Sequence, residues 1–147
     1  MKEEDKPLQE IYFFWMDRAM KAQRKATARL FRALNIKLTP DQWIILKSLD
    51  DQTRLTQRQL AEAVSKDPAS ITRSLDLLEK EELIQRKRVD RRTFTVLLTN
   101  KGKALVKKVI PEAARYRQKG IDGVTEEEMQ VFKKVLDTIY NNFTIDE

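Results

Sequence analysis

Seven residues near the middle of the chain hold its densest chemistry. Arg86-Lys87-Arg88-Val89-Asp90-Arg91-Arg92 carries five cations and one anion. Cations packed this closely repel one another unless they extend into solvent or onto a polyanion. A guanidinium there would fit the narrow, negative minor groove of a duplex. Asp90, two residues before Arg92, would orient that guanidinium by a bidentate pair. A second cationic run lies upstream. Arg18, Lys21, Lys25, Arg29 and Arg32 recur at steps of 3, 4, 4 and 3, with no acid between Arg18 and Arg32. On a helix that spacing makes one stripe, either a solvated flank or an edge facing phosphates or a second subunit.

Missing residue types narrow the field further. The 147 residues include no His and no Cys. No imidazole base, thiol nucleophile, disulfide or Cys/His zinc site can be built from them. The three glycines, Gly102, Gly120 and Gly123, form no phosphate-cradling loop. The carboxylates lie on charged helix faces rather than in a catalytic motif, so an enzyme is disfavoured and neither cofactor nor metal is expected. Lys and Arg number 29 against 23 Asp and Glu, a net charge of +6 that suits an anionic partner such as nucleic acid. The charged start, Met1 to Lys6, has no apolar signal region behind it. The cluster Ile11 to Met16 is far shorter than a membrane span, so a cytoplasmic protein without a membrane partner is expected.

The elements that must carry these charges are well punctuated. Helical spacing of Ile11, Trp15, Ala19, Ala22, Ala26, Leu30 and Ala33 predicts one long helix from about Leu8 to Leu34. Thr39-Pro40-Asp41-Gln42 reads as N-cap, first-turn proline and capping box for a helix to about Leu49. Arg54-Leu55 reads as a very short strand. Thr56-Gln57-Arg58-Gln59 repeats the capping logic for a helix to about Ser65. Asp67-Pro68 opens the next helix, with Ile71, Leu75 and Leu78 on its buried face. Leu83 to Arg88 and Thr93 to Leu98 are two β-prone runs around a basic turn, hence a hairpin. Thr99 caps a helix to about Lys119 that contains Pro111 and should kink there. Thr125-Glu126-Glu127-Glu128 opens a last helix with Met129, Phe132, Leu136, Ile139 and Phe143 at coiled-coil spacing.

Two short helices joined by a tight turn and followed by a basic hairpin make a winged helix-turn-helix pattern. With Ile71, Leu75 and Leu78 inward, Ala69, Arg73, Asp76 and Lys80 face outward, with Ser70 and Thr72 on the flanks. Ala69, Ser70, Thr72 and Arg73 then stand where a recognition helix meets base edges. Arg73 would bond guanine O6 and N7, and the Ala69 methyl would touch a thymine methyl. The starts of the two helices, at Thr56, Gln57 and Pro68, would offer backbone N–H groups to phosphates. The wing would add Arg88, Asp90, Arg91 and Arg92.

These residues resemble the MarR family of bacterial transcription regulators. The resemblance rests on Leu38-Thr39-Pro40-Asp41-Gln42-Trp43-Ile44-Ile45-Leu46 and Leu55-Thr56-Gln57-Arg58-Gln59-Leu60-Ala61-Glu62. It continues through Ile71-Thr72-Arg73-Ser74-Leu75-Asp76-Leu77-Leu78-Glu79-Lys80 and Leu83-Ile84-Gln85-Arg86, and closes with Asp90-Arg91-Arg92 and Leu97-Leu98-Thr99-Asn100-Lys101-Gly102. It implies a mainly α fold with a small β-hairpin wing, in which residues 37–99 form the DNA-binding domain and residues 1–36 plus 100–147 form dimerisation helices. It also implies a homodimer on a pseudo-palindromic double-stranded DNA operator, with Ile11, Met129, Phe132, Leu136, Ile139 and Phe143 in the dimer interface. Asp90 and Arg92 match the family's wing pair, whose arginine enters the minor groove. Such proteins are commonly repressors released by a small aromatic or anionic ligand. A pocket for one would draw on Tyr12, Trp15, Trp43 and Tyr116, with Arg18 or Arg115 meeting an anionic group; the same aromatics would equally serve as dimer core. Without Cys or His, thiol and zinc sensing are disfavoured.

The chain departs from the family pattern twice. Its wing is about two residues short between Arg86 and Asp90, and Glu82 stands where the recognition helix usually ends in Gly. A left-handed Glu82 would cost on the order of 1 kcal/mol. A winged-helix protein–protein adaptor is the competing reading. It leaves five cations in seven residues without a use.

Overall fold

Local capping decides where most helices begin. In the computed structural model, which describes residues 5–146, a 3-10 turn at Leu8–Glu10 precedes α1 (Tyr12–Ala33). The expected single helix from Leu8 is thus interrupted, because Ile11 is extended and serves as the N-cap of α1. The Trp15 indole N–H donates to the Gln9 carbonyl at 2.7 Å and fixes the preceding turn. Helix α2 (Pro40–Gln52) starts at a full capping box: Thr39 Oγ1 accepts from the Gln42 N–H, and Gln42 Oε1 accepts from the Thr39 N–H. The same box, made by Thr56 and Gln59, opens α3 (Gln57–Ala63). Asp67 caps α4 (Pro68–Lys80) by accepting from the Ser70 N–H. Thr99 caps α5 (Asn100–Gly120), and Thr125 with Glu128 caps α6 (Glu126–Thr144). Helix α5 runs on through Pro111.

Three strands form one antiparallel sheet in the order β1-β3-β2. Strand β1 is only Leu55–Thr56; β2 is Ile84–Arg88 and β3 is Phe94–Leu98. The register pairs Leu55 with Val96 on one side of β3, and Ile84 with Leu98 and Arg88 with Phe94 on the other. Thus β2 and β3 form the expected hairpin, with β1 anchoring the start of α3 to it.

The chain divides into two units, one ending at Ala113 and the other beginning at Ala114. In the first, Trp43, Ile45, Leu46 and Leu49 of α2 pack with Leu60 of α3, Ile71, Leu75 and Leu78 of α4, Val96 and Leu98 of β3, and Val106 and Val109 of α5. Helix α1 joins this core through Phe31, which lies edge-on to Trp43 at 6.4 Å between ring centroids. The apolar stripe of α1 is largely uncovered: Trp15 is 45% exposed, and Ala19, Ala22 and Ala33 are exposed too. In the second unit, α6 has no buried residue.

Candidate nucleic-acid interface

Helices α3 and α4 form the helix-turn-helix, and side chains link them directly. Gln57, at the start of α3, donates from Nε2 to Thr72 Oγ1 on α4 at 2.9 Å. The Thr72 hydroxyl in turn donates to the Pro68 carbonyl at 2.9 Å. Arg73 donates from Nη2 to Ser70 Oγ at 3.3 Å, and Ser70 Oγ donates to Asp67 Oδ2 at 2.8 Å. Ala69, Thr72 and Arg73 are exposed on α4, while Ile71 beside them is buried. The outward face that the sequence predicts is therefore present.

The helix starts are less open than expected. The Thr56 N–H is taken by Gln59 and its hydroxyl by the return bond, so Thr56 itself offers no backbone donor. At α3 the N–H groups of Gln57 and Arg58 remain without an i−4 carbonyl inside the helix. At α4 the Asp67 carboxylate already occupies the anion position, and Pro68 has no N–H. The Ser70 N–H holds the Asp67 carboxyl below the ordinary carboxylate range.

The wing corrects two readings. First, Asp90 does not grip the Arg92 guanidinium. Its Oδ1 accepts the backbone N–H of Arg92 at 2.8 Å and of Thr93 at 2.9 Å. The turn Val89–Thr93 is so tight that the main chain reaches the carboxylate first, and these bonds hold the Asp90 carboxyl below its ordinary range. Among the described residues the Arg92 side chain makes no ion pair. Second, Arg86 is not part of the cationic tip. Its Nη2 lies 2.7 Å from Asp76 and 3.0 Å from Glu79, both on α4. Glu79 raises the Arg86 pKa, and Arg86 lowers that of Glu79. Of the five wing cations, Lys87, Arg88, Arg91 and Arg92 remain to face an anion. Arg88 stacks over its cross-strand partner Phe94 at 5.1 Å.

Sequence reasoning missed the partners of Arg86, although Asp76 and Glu79 stand three apart on one helix face. It also missed Asp41, which pairs with Arg24 of α1 at 2.9 Å and with Lys66 of the α3–α4 turn at 3.2 Å. Partial burial pushes the Asp41 carboxyl up, but Lys66 and Arg24 together bring it below the ordinary range. Arg24 is thereby removed from the free cations of α1, as Lys21 is by Asp17 at 2.7 Å.

The residues named for a ligand pocket do not gather in the first unit. Trp43 is buried in the core. Tyr12 is 81% exposed, and Arg18 lies over the Trp15 ring at 5.0 Å. An open cleft of about 390 Å³ is lined instead by Arg32, Asn35, Ile36, Lys37, Leu38, Thr39 and Gln42. It sits at the other end of α1, where 14 residues of helix separate Arg32 from Arg18 by roughly 21 Å. Arg115 and Tyr116 belong to the second unit, where the Lys119 ammonium lies 5.6 Å from the Tyr116 ring.

Comparison with known proteins agrees with this architecture. Residues 38–94 match the model of the MarR family. An uncharacterised HTH-type transcriptional regulator from Bacillus cereus is 38% identical over 93 residues, 63% of this chain and 63% of that protein. The match thus spans less than two thirds of the relative's length. Among solved structures, BpsR of Bordetella bronchiseptica superposes with a TM-score of 0.79 at 23% identity, covering 93% of this chain and 98% of that one. DNA binding of BpsR is regulated by 6-hydroxynicotinic acid. A mutant MarR from E. coli, complexed with operator DNA, superposes with a TM-score of 0.76 at 20% identity, covering 85% and 90%. At such identities the two structures establish the fold, a winged helix with flanking helices.

Proposed function

We propose that the chain, whose residues 38–94 match the model of the MarR family, is a DNA-binding transcription regulator of that family acting as a homodimer. One observation carries the DNA reading: Arg86 ties β2 to α4 through Asp76 and Glu79, and the surface we propose joins the exposed face of α4 to the cationic wing. On that surface Lys87, Arg88, Arg91 and Arg92 would neutralise phosphates and release counterions, while Ala69, Ser70, Thr72 and Arg73 meet base edges. Gln57 and the first turn of α3 would hold a phosphate. Asp90 acts on the main chain and shapes the turn that projects Arg91 and Arg92.

Dimerisation is supported by what α6 leaves uncovered. Val131 is 62% exposed, Phe132 47% and Tyr140 62%. Apolar groups at these densities mark a surface that a second chain covers. Met129, Leu136, Ile139 and Phe143 complete that interface, with Ile11 from the other end of the chain. Two-fold symmetry then predicts half-sites about 10 bp apart or a multiple of that.

A repressor released by a small aromatic or anionic ligand is the finer form of this reading. The regulation of BpsR by 6-hydroxynicotinic acid supports that ligand class. Selection of duplexes from a random-sequence library by the full chain tests the whole reading. Enrichment of an inverted repeat is the expected result. Recovery of no preferred sequence would contradict sequence-specific regulation.

A further inference from the structure

We propose that α4 reads thymine through its 5-methyl group, using the γ-methyl of Thr72, which Gln57 holds in position. The inference rests on the DNA-binding reading above and deepens it. Thr72 is exposed on α4 and has two things to offer a base, a hydroxyl and a methyl. The hydroxyl owns a single proton. That proton goes to the Pro68 carbonyl at 2.9 Å, and one lone pair of the oxygen takes the Gln57 Nε2–H at 2.9 Å. The Thr72 oxygen therefore has no hydrogen left to donate.

In the major groove guanine presents only the acceptors N7 and O6, and thymine presents the acceptor O4 beside its methyl. A hydroxyl without a free proton bonds none of these. What Thr72 has left to offer is the γ-methyl, and its partner in the groove is the thymine methyl. Ala69 is also exposed and lies one turn earlier, three residues before Thr72, where helix neighbours share a face. It adds a second methyl to the same patch. Arg73 follows, fixed through Nη2 by Ser70, with its other N–H groups left for guanine O6 and N7. Two methyls beside one guanidinium match a thymine next to a guanine.

The two fixing bonds give Gln57 its role. The bond from α3 holds the Thr72 oxygen against the helix and so sets where the methyl stands. Gln57 is a positioning residue here, and the methyl is the group that discriminates.

The test uses the full chain and the duplex recovered by selection. That duplex is made with thymine, or with deoxyuridine, which lacks only the methyl, at each half-site thymine in turn. Uracil at that position in one of the two half-sites should lower affinity about four-fold, the worth of one buried methyl. Against Thr72→Ser that loss should vanish; against Thr72→Val, which keeps the methyl, it should persist. Gln57→Ala should shrink it. A uracil effect that is absent, or equal against wild type and Thr72→Ser, would overturn the methyl contact and leave DNA binding standing. Adenine or cytosine preferred at that position, reading the last lone pair of the hydroxyl, would overturn it too. Failure to recover any duplex would overturn both this proposal and the reading beneath it.

Discussion

Gly102 shows how one hydrogen atom positions an element. A Cβ on Gly102 would stand 2.1 Å from the Leu83 carbonyl oxygen and 3.4 Å from Leu98 Cδ2. The same carbonyl accepts the Thr99 N–H at 3.1 Å, so it cannot move aside without losing its bond to the residue that caps α5. Gly102→Ala should therefore destabilise the chain by about 3 kcal/mol, read from the urea midpoint. Glu82 is the opposite case. Its φ is +61°, and the bonds Glu82 N–H to Glu79 O and Leu83 N–H to Leu78 O close the end of α4. No bond of the Glu82 side chain depends on the residue being Glu, so Glu82→Gly should raise stability by about 1 kcal/mol. An unchanged or lower midpoint would mean that the left-handed backbone carries no strain there. The departure at Glu82 was legible from the sequence; the need for glycine at 102 was not. One depends on a helix end, the other on a carbonyl 19 positions away.

At the scale of elements, the helix starts were readable because a capping box spans only four residues. Thr39 with Gln42, Thr56 with Gln59 and Thr125 with Glu128 all form as written. The hairpin was readable for the same reason. What the sequence hid were links between elements. Arg86 reads as one more wing cation until the fold brings Asp76 and Glu79 to it. Asp41 reads as a first-turn acid until α1 and the α3–α4 turn bring Arg24 and Lys66. That link has a pH signature. Its folded pKa lies below the unfolded value near 3.8, so its contribution is present above that value and is lost as pH falls through the lower folded one. Asp41→Asn should lower the melting temperature modestly at neutral pH, with the gap to wild type closing below about pH 4. A gap that is constant with pH would assign the effect to something other than the ion pairs.

For the whole molecule, the basic excess of +6 resolves into a wing with four cations that make no ion pair among the described residues and a stripe on α1 that is partly neutralised at Lys21. The apolar excess resolves as well. The core of the first unit uses α2 to α5 and Phe31, while α6 buries nothing. Phe132→Glu together with Leu136→Glu should yield a monomer by light scattering and abolish duplex binding. A dimer that persists would place the interface elsewhere. No helix among the described residues is long and apolar enough to cross a membrane.

If the wing and α4 together bind phosphates, duplex binding must depend steeply on salt. Log affinity for a random duplex should fall linearly with log salt, with a slope of about −0.9 for each phosphate neutralised. Arg92→Ala should make that slope about 1 unit shallower without lowering the melting temperature. A flat salt response in the wild-type chain, or an Arg92→Ala variant with the wild-type slope, would contradict the account.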